Sequence, residues 1–456
     1  MSEINYFPAT TSQELLIYAD SFTFRHAWIN IGAKLDINQE IDEELMFKAV
    51  KLTIERNSYM SIRFHKEKKG KVSLYFSDKE PEGLEIIDYS SLSDDEIKAI
   101  LTKWTKTPFK KRGEDQQLYQ IKLIRRSNNL HCLYICFHHM GFDSYPIGNI
   151  IKYISDTYSA LKNGTELPPV APSVMPMYEA EQKYKGSVLE ASDIKFWNDF
   201  FDPNDEPCFT NLIGKDSKFH KKNMRSGVCM IPFKSKASHL NLRIPKEIVD
   251  KINNKALENR ISAQPIYYLA FHMYRALINE TNDVMGTIAL ARRSTLAQKR
   301  GAGTMVNSVY IRCKFNPETF SVLDAIKDTN ANLNQSFKHP NVCTGDVIKI
   351  GQKVYNLSLL NFYDAVSFCY QPYFELGNAD LDLKFERLEN GANPTNLELT
   401  IWKCDNSGDL WVNYDYKLAY YKAEHIEKYH AFMLKFLDKA MDNLDKPVGE
   451  IAKECL

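Results

Sequence analysis

Net charge is missing from this chain: Lys+Arg and Asp+Glu both number 58. No global field therefore draws in nucleic acid or a membrane surface. Paired cysteines are missing too. The nine cysteines are scattered over 456 residues, with no C-x-x-C spacing and no disulfide framework. An odd number without a secretory signal reads as reduced, cytoplasmic thiols. The opening MSEINYFPATTSQE is polar and has no apolar signal core. No run approaches the length needed to span a membrane. There is no low-complexity segment. What remains is ordinary globular composition, 44% hydrophobic and 25% charged, at a length that suits one or two large domains.

Helical and strand patterns alternate along the chain. Thr11 or Ser12 caps a first helix, with Glu14 in its first turn. A second helix runs from Asp42 to about Arg56. Ser61–Phe64 and Val72–Phe76 flank a Lys/Gly turn and read as a hairpin. Ser93 caps a helix to about Thr105, with Asp94 and Asp95 in its first turn. Gln120–Ile124 and Leu130–Phe137, joined at Ser127-Asn128-Asn129, form a second hairpin. Residues 147–161 then place Ile147, Ile150, Ile151, Ile154, Tyr158 and Leu161 at helical spacing, stopped by Asn163-Gly164. Gly164 to Met177, with Pro168, Pro169, Pro172 and Pro176, is the clearest linker.

Beyond it, a helix surrounds Trp197, and residues 202–238 are polar and irregular. An alternating strand holds Leu240, Leu242 and Ile244, and Pro245 opens a helix to about Asn259. Ser262 and Pro265 open a helix that is apolar nearly all round. Strands are expected over 284–291, 306–313, 363–370 and 397–402. Another, over 410–416, pairs across the Asn406-Ser407-Gly408 turn. A last amphipathic helix spans about 422–441. Mixed strands and helices thus occur on both sides of the linker. The expected architecture is mixed α/β (α+β), as two lobes, residues 1–178 and 179–456.

The second hairpin delivers His138-His139-Met140-Gly141-Phe142-Asp143-Ser144 to a strand-to-helix loop. Loops held between rigid elements are where catalytic side chains tend to sit. Four readings are open on the residues alone. The histidines and Asp143 could be buried polar groups that satisfy each other. They could share a metal ion, although zinc usually takes three protein ligands and no second His/Glu pair lies nearby. Ser144 could carry phosphopantetheine, although carriers are small helical bundles. Lastly, an imidazole of unperturbed pKa near 6.5 is suited to take a proton at neutral pH, with Asp143 orienting it or pairing with an arginine.

At this loop the chain resembles a known family. HHMGFDS is similar to the HHxxxDG signature of condensation domains of nonribosomal peptide synthetases, in the chloramphenicol acetyltransferase-like superfamily. Thr11–Tyr18 resembles the family's opening motif with its Gln, here Gln13. Gly303–Arg312 (GTMVNSVYIR) resembles its Gly-x-Phe-Val-Asn-Thr…Arg motif. Asp283–Arg293 is similar to the strand that ends in Gly-Arg, and Phe368–Gln371, Leu410–Tyr416 and the closing helix match in kind and order. The resemblance runs from about Tyr6 to Ala452. There are departures: Ser144 replaces the glycine after the aspartate, Ala291 stands where Gly precedes Arg, and Arg56–Phe64 keeps little of the second motif, with Ser61 at its second Arg.

The resemblance implies two acetyltransferase-like lobes in a V, with an active-site tunnel between them. It implies an acyltransferase that forms an amide bond when an acceptor amine attacks an acyl thioester. The donor rides on the phosphopantetheine arm of a peptidyl or acyl carrier protein, or on coenzyme A. No permanent cofactor and no metal are implied, and the unit is a monomer, stand-alone or excised. His138, His139 and Asp143 form the catalytic motif, with His139 at the chemistry and His138 structural. Asp143 pairs with Arg293, or with Arg292, across the lobe interface. Gly141, Ser144, Asn307 and Ser308 line the tunnel or substrate path, and the last two read equally well as ordinary polar strand residues. Two other readings remain: transfer to a free amine or hydroxyl, and a non-catalytic docking platform. Heterocyclising relatives carry Asp in place of the His pair, and no second epimerase signature is present.

Overall fold

The computed structural model describes residues 5–21, 23–66, 72–109, 116–205, 210–214, 235–301, 303–357, 366–371, 380–403 and 407–456. The turn over 67–71, Asn406, and parts of the irregular 202–238 and of the 363–370 strand lie outside them. The chain forms two compact units. The first holds Met1–Ser187, Ala291–Val306 and Phe374–Ala392. The second holds Val188–Leu290, Asn307–Tyr373 and Asn393–Leu456. The first unit thus takes in two later stretches that the two-lobe reading of the sequence placed after residue 178.

In the first unit the strands are β1 (Phe7–Pro8), β2 (Asn30–Ile37), β3 (Ile62–Lys66), β4 (Val72–Phe76), β5 (Glu85–Asp88), β6 (Tyr119–Arg125) and β7 (His131–His138). A five-stranded sheet runs Leu383–Leu388, β2, β7, β6, β5, and a three-stranded one runs β1, β4, β3. Strand β7 explains its own sequence. It lies between β2 and β6 and is covered on both faces. Leu133, Ile135 and Phe137 face the core shared with Met46 and Val50 of α2 (Glu43–Glu55) and Ile147 and Ile150 of α4 (Ser144–Asn163). Cys132, Tyr134 and Cys136 face Ile97 and Leu101 of α3 (Asp94–Thr105). A strand buried on both faces reads as a continuous apolar run rather than an alternating one.

The helix signals are realised closely. Ser93 and Glu96 form a full capping box on α3, and Asp42 caps α2. Gly164 closes α4 at φ 65, a left-handed conformation that costs glycine nothing. On α1 (Thr11–Ser21) the cap is Thr10, not Thr11 or Ser12. Its N–H donates to Gln13 Oε1 at 2.9 Å, and the Gln13 N–H donates back to Thr10 Oγ1 at 3.3 Å, the reciprocal pattern of a capping box. The Pro-rich stretch is not a free linker. Arg56 and Tyr153 both donate to the Pro168 carbonyl, the Ala171 N–H donates to Arg56, and α5 (Met175–Tyr184) starts inside the stretch with Pro176 in its first turn.

The second unit is built on a six-stranded sheet. The order is Asn307–Lys314, Asp283–Leu290, Val366–Gln371, Leu397–Trp402, Leu410–Lys417, Ala237–Ile244. Helix Gln264–Asn279, buried over nearly its whole length, and the amphipathic helix Ala423–Asp442 share its core.

Candidate active site around His139

The loop between β7 and α4 is tied down at every residue. The His138 N–H donates to Leu118 O, the His139 N–H to Ile29 O, and the Gly141 and Phe142 N–H groups to His138 O. The Met140 carbonyl accepts from Gln13 Nε2 at 3.1 Å, and the Gly141 carbonyl from the Thr304 N–H at 3.1 Å. Gly141 is buried, and a Cβ there would meet Leu118 Cδ1 at 3.0 Å. Phe142 anchors the loop from beneath, packed on Phe137, Tyr59 and Tyr119. Burial holds the Tyr59 hydroxyl protonated well above the ordinary phenol range.

Asp143 is both helix cap and loop anchor. Its Oδ1 accepts from the Tyr145 N–H at 3.1 Å. Its Oδ2 accepts from Arg293 Nη1 at 2.9 Å, the Met305 N–H at 2.8 Å and the Val306 N–H at 3.1 Å. Arg293 also donates to the Gly303 and Ala291 carbonyls, and its guanidinium carbon lies 4.8 Å from the centre of the Tyr145 ring. Both charged side chains are buried, at 5% and 1% exposure. The partner is Arg293, as expected first. Arg293 belongs to the same unit as Asp143, so the pair lies within one unit and not across two lobes. Arg292 goes elsewhere, to Glu181 of α5. Its φ is 54, so the backbone position suited to glycine before the pairing arginine is 292, not Ala291.

The two histidines differ. His138 ends β7, and its Nδ1 accepts from the Met140 N–H at 3.3 Å. Its ring meets Phe64 and Phe109 edge-on, which is a structural placement. His139 keeps part of its surface accessible, yet its Nδ1 is buried and has no hydrogen-bond partner among the described residues. Burial lowers its pKa from the ordinary imidazole value. Backbone groups of His139 and Phe142 and the Asp143 charge pull the other way and are outweighed. Neutral imidazole is therefore the resting form at neutral pH, the form that accepts a proton. Ser144 is the first residue of α4 and half-buried. Among the described residues no cluster of three or more His, Cys, Asp and Glu side chains could hold a metal ion, and no helix is long and apolar enough to cross a membrane.

A family model described as the condensation domain matches residues 4–453. The chain belongs to this family. Condensation domains are acyltransferases of nonribosomal peptide synthesis whose general reaction is amide-bond formation. The chain is 23% identical over 463 residues to surfactin synthase subunit 1 of Bacillus subtilis (strain 168), covering 98% of this chain and 12% of that protein. It is 21% identical over 470 residues to bacitracin synthase 1 of Bacillus licheniformis, covering 98% of this chain and 8% of that protein. The chain thus spans a small part of the curated relatives it matches. Its structure resembles the first condensation domain of the calcium-dependent antibiotic synthetase with substrate analogue 3a (TM-score 0.81, 16% identity, 98% of both chains). It also resembles a mutant starter condensation domain of the rhizomide synthetase in complex with C8-CoA and Leu-SNAC (TM-score 0.80, 14% identity, 97% of this chain and 96% of that one). These likenesses establish the mixed α/β, chloramphenicol acetyltransferase-like fold.

The remaining expected site residues of this condensation domain lie in the second unit. Asn307 is buried and spent on structure. Its Nδ2 donates to the Pro340 and Val342 carbonyls, and its Oδ1 accepts from Thr344. The Ser308 backbone exchanges hydrogen bonds with the Thr344 hydroxyl. Both fit the reading as polar strand residues. Sequence reasoning missed the Met305 and Val306 N–H groups, Tyr178 and Glu181. The Thr10-x-x-Gln13 spacing was the one local signal for the polar cluster to which the last two belong.

Proposed function

We propose that this domain joins an acyl group from a thioester to an acceptor amine, with His139 acting on the amine and a carrier protein's phosphopantetheine arm presenting the donor. The observation that carries the proposal is a partly accessible imidazole, held neutral by burial, at the second histidine of an otherwise fully pinned loop. The amine nitrogen attacks the thioester carbonyl and a C–N bond forms. The tetrahedral adduct loses a proton from nitrogen, the C–S bond breaks and the thiol leaves. A thioester is already activated, so holding the two reactants together does most of the work, up to roughly 7–11 kcal/mol in favourable cases. A positioned base contributes about 10²–10⁴-fold more. Coenzyme A supplies the same thioester chemistry, and a starter condensation domain of similar fold binds C8-CoA and Leu-SNAC. The domain works as a cytoplasmic monomer. The described cysteines are free thiols, which suits a reducing compartment.

Intact-mass analysis tests the proposal. C8-CoA and an octanoyl-loaded carrier are each mixed with the protein and Leu-SNAC. The expected product is the amide, formed by the wild type and greatly reduced with His139→Ala. Equal yield from the wild type and His139→Ala would remove His139 from the chemistry. Acylation of hydroxyl but not amine acceptors would make the domain an ester-forming transferase.

A further inference from the structure

We infer that Gln13 is a positioning residue for His139, a role that rests on the reading of His139 as the acting group. Gln13 lies 126 positions before it in sequence and is 1% exposed. Its amide has every hydrogen-bonding group engaged. Oε1 accepts from the Thr10 N–H at 2.9 Å and the Thr10 hydroxyl at 3.3 Å. Nε2 gives one hydrogen to the Met140 carbonyl at 3.1 Å and the other to the Tyr178 hydroxyl at 3.0 Å. The orientation is determined, because a flipped amide would set donor against donor at Thr10 and acceptor against acceptor at Met140.

The grip falls where the catalytic loop needs one. The peptide before His139 is held by Ile29 O, and the peptide after it by the Met140 N–H on His138 Nδ1. The next carbonyl, Met140 O, is held by Gln13. A rotation about the His139 backbone would have to drag this carbonyl with it. Gln13 is itself held from two sides. The Thr11 N–H and hydroxyl donate to Glu181 Oε2, and Arg292 pairs with Glu181 Oε1. Tyr178 and Glu181 are three apart on α5 and present one face to the start of α1. Arg292 adjoins Arg293, which holds Asp143. One buried polar network thus reaches both ends of the motif loop, through Gln13 at Met140 and through the arginine pair at Asp143.

A purely structural glutamine and a positioning one differ in what their loss changes. Gln13→Met keeps length and burial and removes donor and acceptor together. With the positioning role, ¹⁵N-histidine NMR shows His139 titrating below about 6.5 in the wild type and shifting up toward that value in Gln13→Met. In turnover with C8-CoA and Leu-SNAC, kcat falls by about 10–100-fold while KM changes by less than about twofold, the signature of a misplaced reacting group. Gln13→Glu adds a pH signature. Its carboxyl donates to Met140 O only when protonated, so its kcat relative to wild type rises as pH falls, whereas a merely structural defect gives a flat ratio. An unchanged His139 titration with kcat within about twofold in folded Gln13→Met overturns the inference. So does failure of both variants to fold, which assigns Gln13 to stability. If the wild type itself transfers nothing, the NMR arm still decides the positioning question, and only the proposed reaction falls.

Discussion

Two histidine–aspartate neighbourhoods, one in each unit, behave in opposite ways. In the second unit His339 Nδ1 meets Asp193 Oδ1 at 2.8 Å. Its ring stacks on Phe196 at 3.9 Å, and its carbonyl accepts from Trp197 Nε1. Residues 146 apart in sequence have found each other. In the first unit His139 and Asp143 are four apart, and no hydrogen bond joins them among the described residues. The Asp143 oxygens go to Tyr145, Arg293, Met305 and Val306, and His139 Nδ1 is left without a partner. This overturns the reading of the two as buried groups that satisfy each other. The difference lies in the aspartate: Asp193 accepts from its histidine, whereas the Asp143 oxygens are taken by backbone N–H groups and Arg293.

The comparison breaks most visibly at Asp143. Asp143→Ala strands the buried Arg293 guanidinium and uncaps α4, so a loss of about 3–5 kcal/mol in denaturant unfolding is expected. Arg293→Ala is expected to resemble it. A normal unfolding midpoint for Asp143→Ala would mean the loop is held without the pair. His139→Ala should do the reverse, lowering kcat by about 10²-fold or more while costing clearly less stability than Asp143→Ala. His339→Ala is the counterpart. It should cost about 1–3 kcal/mol of stability by removing a hydrogen bond to the buried Asp193, with kcat unchanged. If His339→Ala lost activity and kept its stability, the contrast between the two histidines would collapse.

Titration sharpens the same contrast. Burial pushes His430 down to about 4 and His272 down to about 3. The His430 ring is neutral in the fold, donating from Nε2 to Arg243 O while Nδ1 accepts from the Tyr414 hydroxyl. Both residues ionise near 6.5 in an unfolded chain. Below that pH the unfolded state binds protons that the fold refuses, so stability is full above about 6.5 and declines as pH falls toward 4. Urea midpoints against pH should show this slope, and His430→Gln should flatten part of it. The lowered pKa of His139 gives the smallest expected effect, on rate rather than stability. Activity should persist somewhat below the ordinary imidazole range before protonation removes the base. A rate that rises as pH falls there would argue that the imidazolium is the acting form.

Much of this molecule was legible locally. Helix α4 was readable from its isoleucine spacing and its Asn163-Gly164 stop, α3 from Ser93 with its acidic first turn, and the β6–β7 hairpin from two apolar runs around Asn128-Asn129. Such signals lie within a few residues of what they specify. The capping of α1 by Thr10 was less clear, since three consecutive hydroxyl residues compete and only the position of Gln13 decides among them. The Pro-rich stretch looked like a linker because proline and glycine report local stiffness and say nothing of the surface the stretch lies on.

The sequence by itself determined the residue types of the site, the loop that carries them, the helix and strand on either side and the family. All of these are written in short-range pattern. Tertiary structure alone decided that Leu383–Leu388 pairs with β2 and that Ala291–Val306 joins the first unit. It also decided that Arg292 turns to Glu181 beside the expected Arg293–Asp143 pair, and that two backbone N–H groups some 160 positions away complete that carboxylate. The physical reason is that strand pairing and buried-charge pairing reward partners for meeting in space. An isolated short strand, or one arginine of two, carries no local mark of the partner it meets.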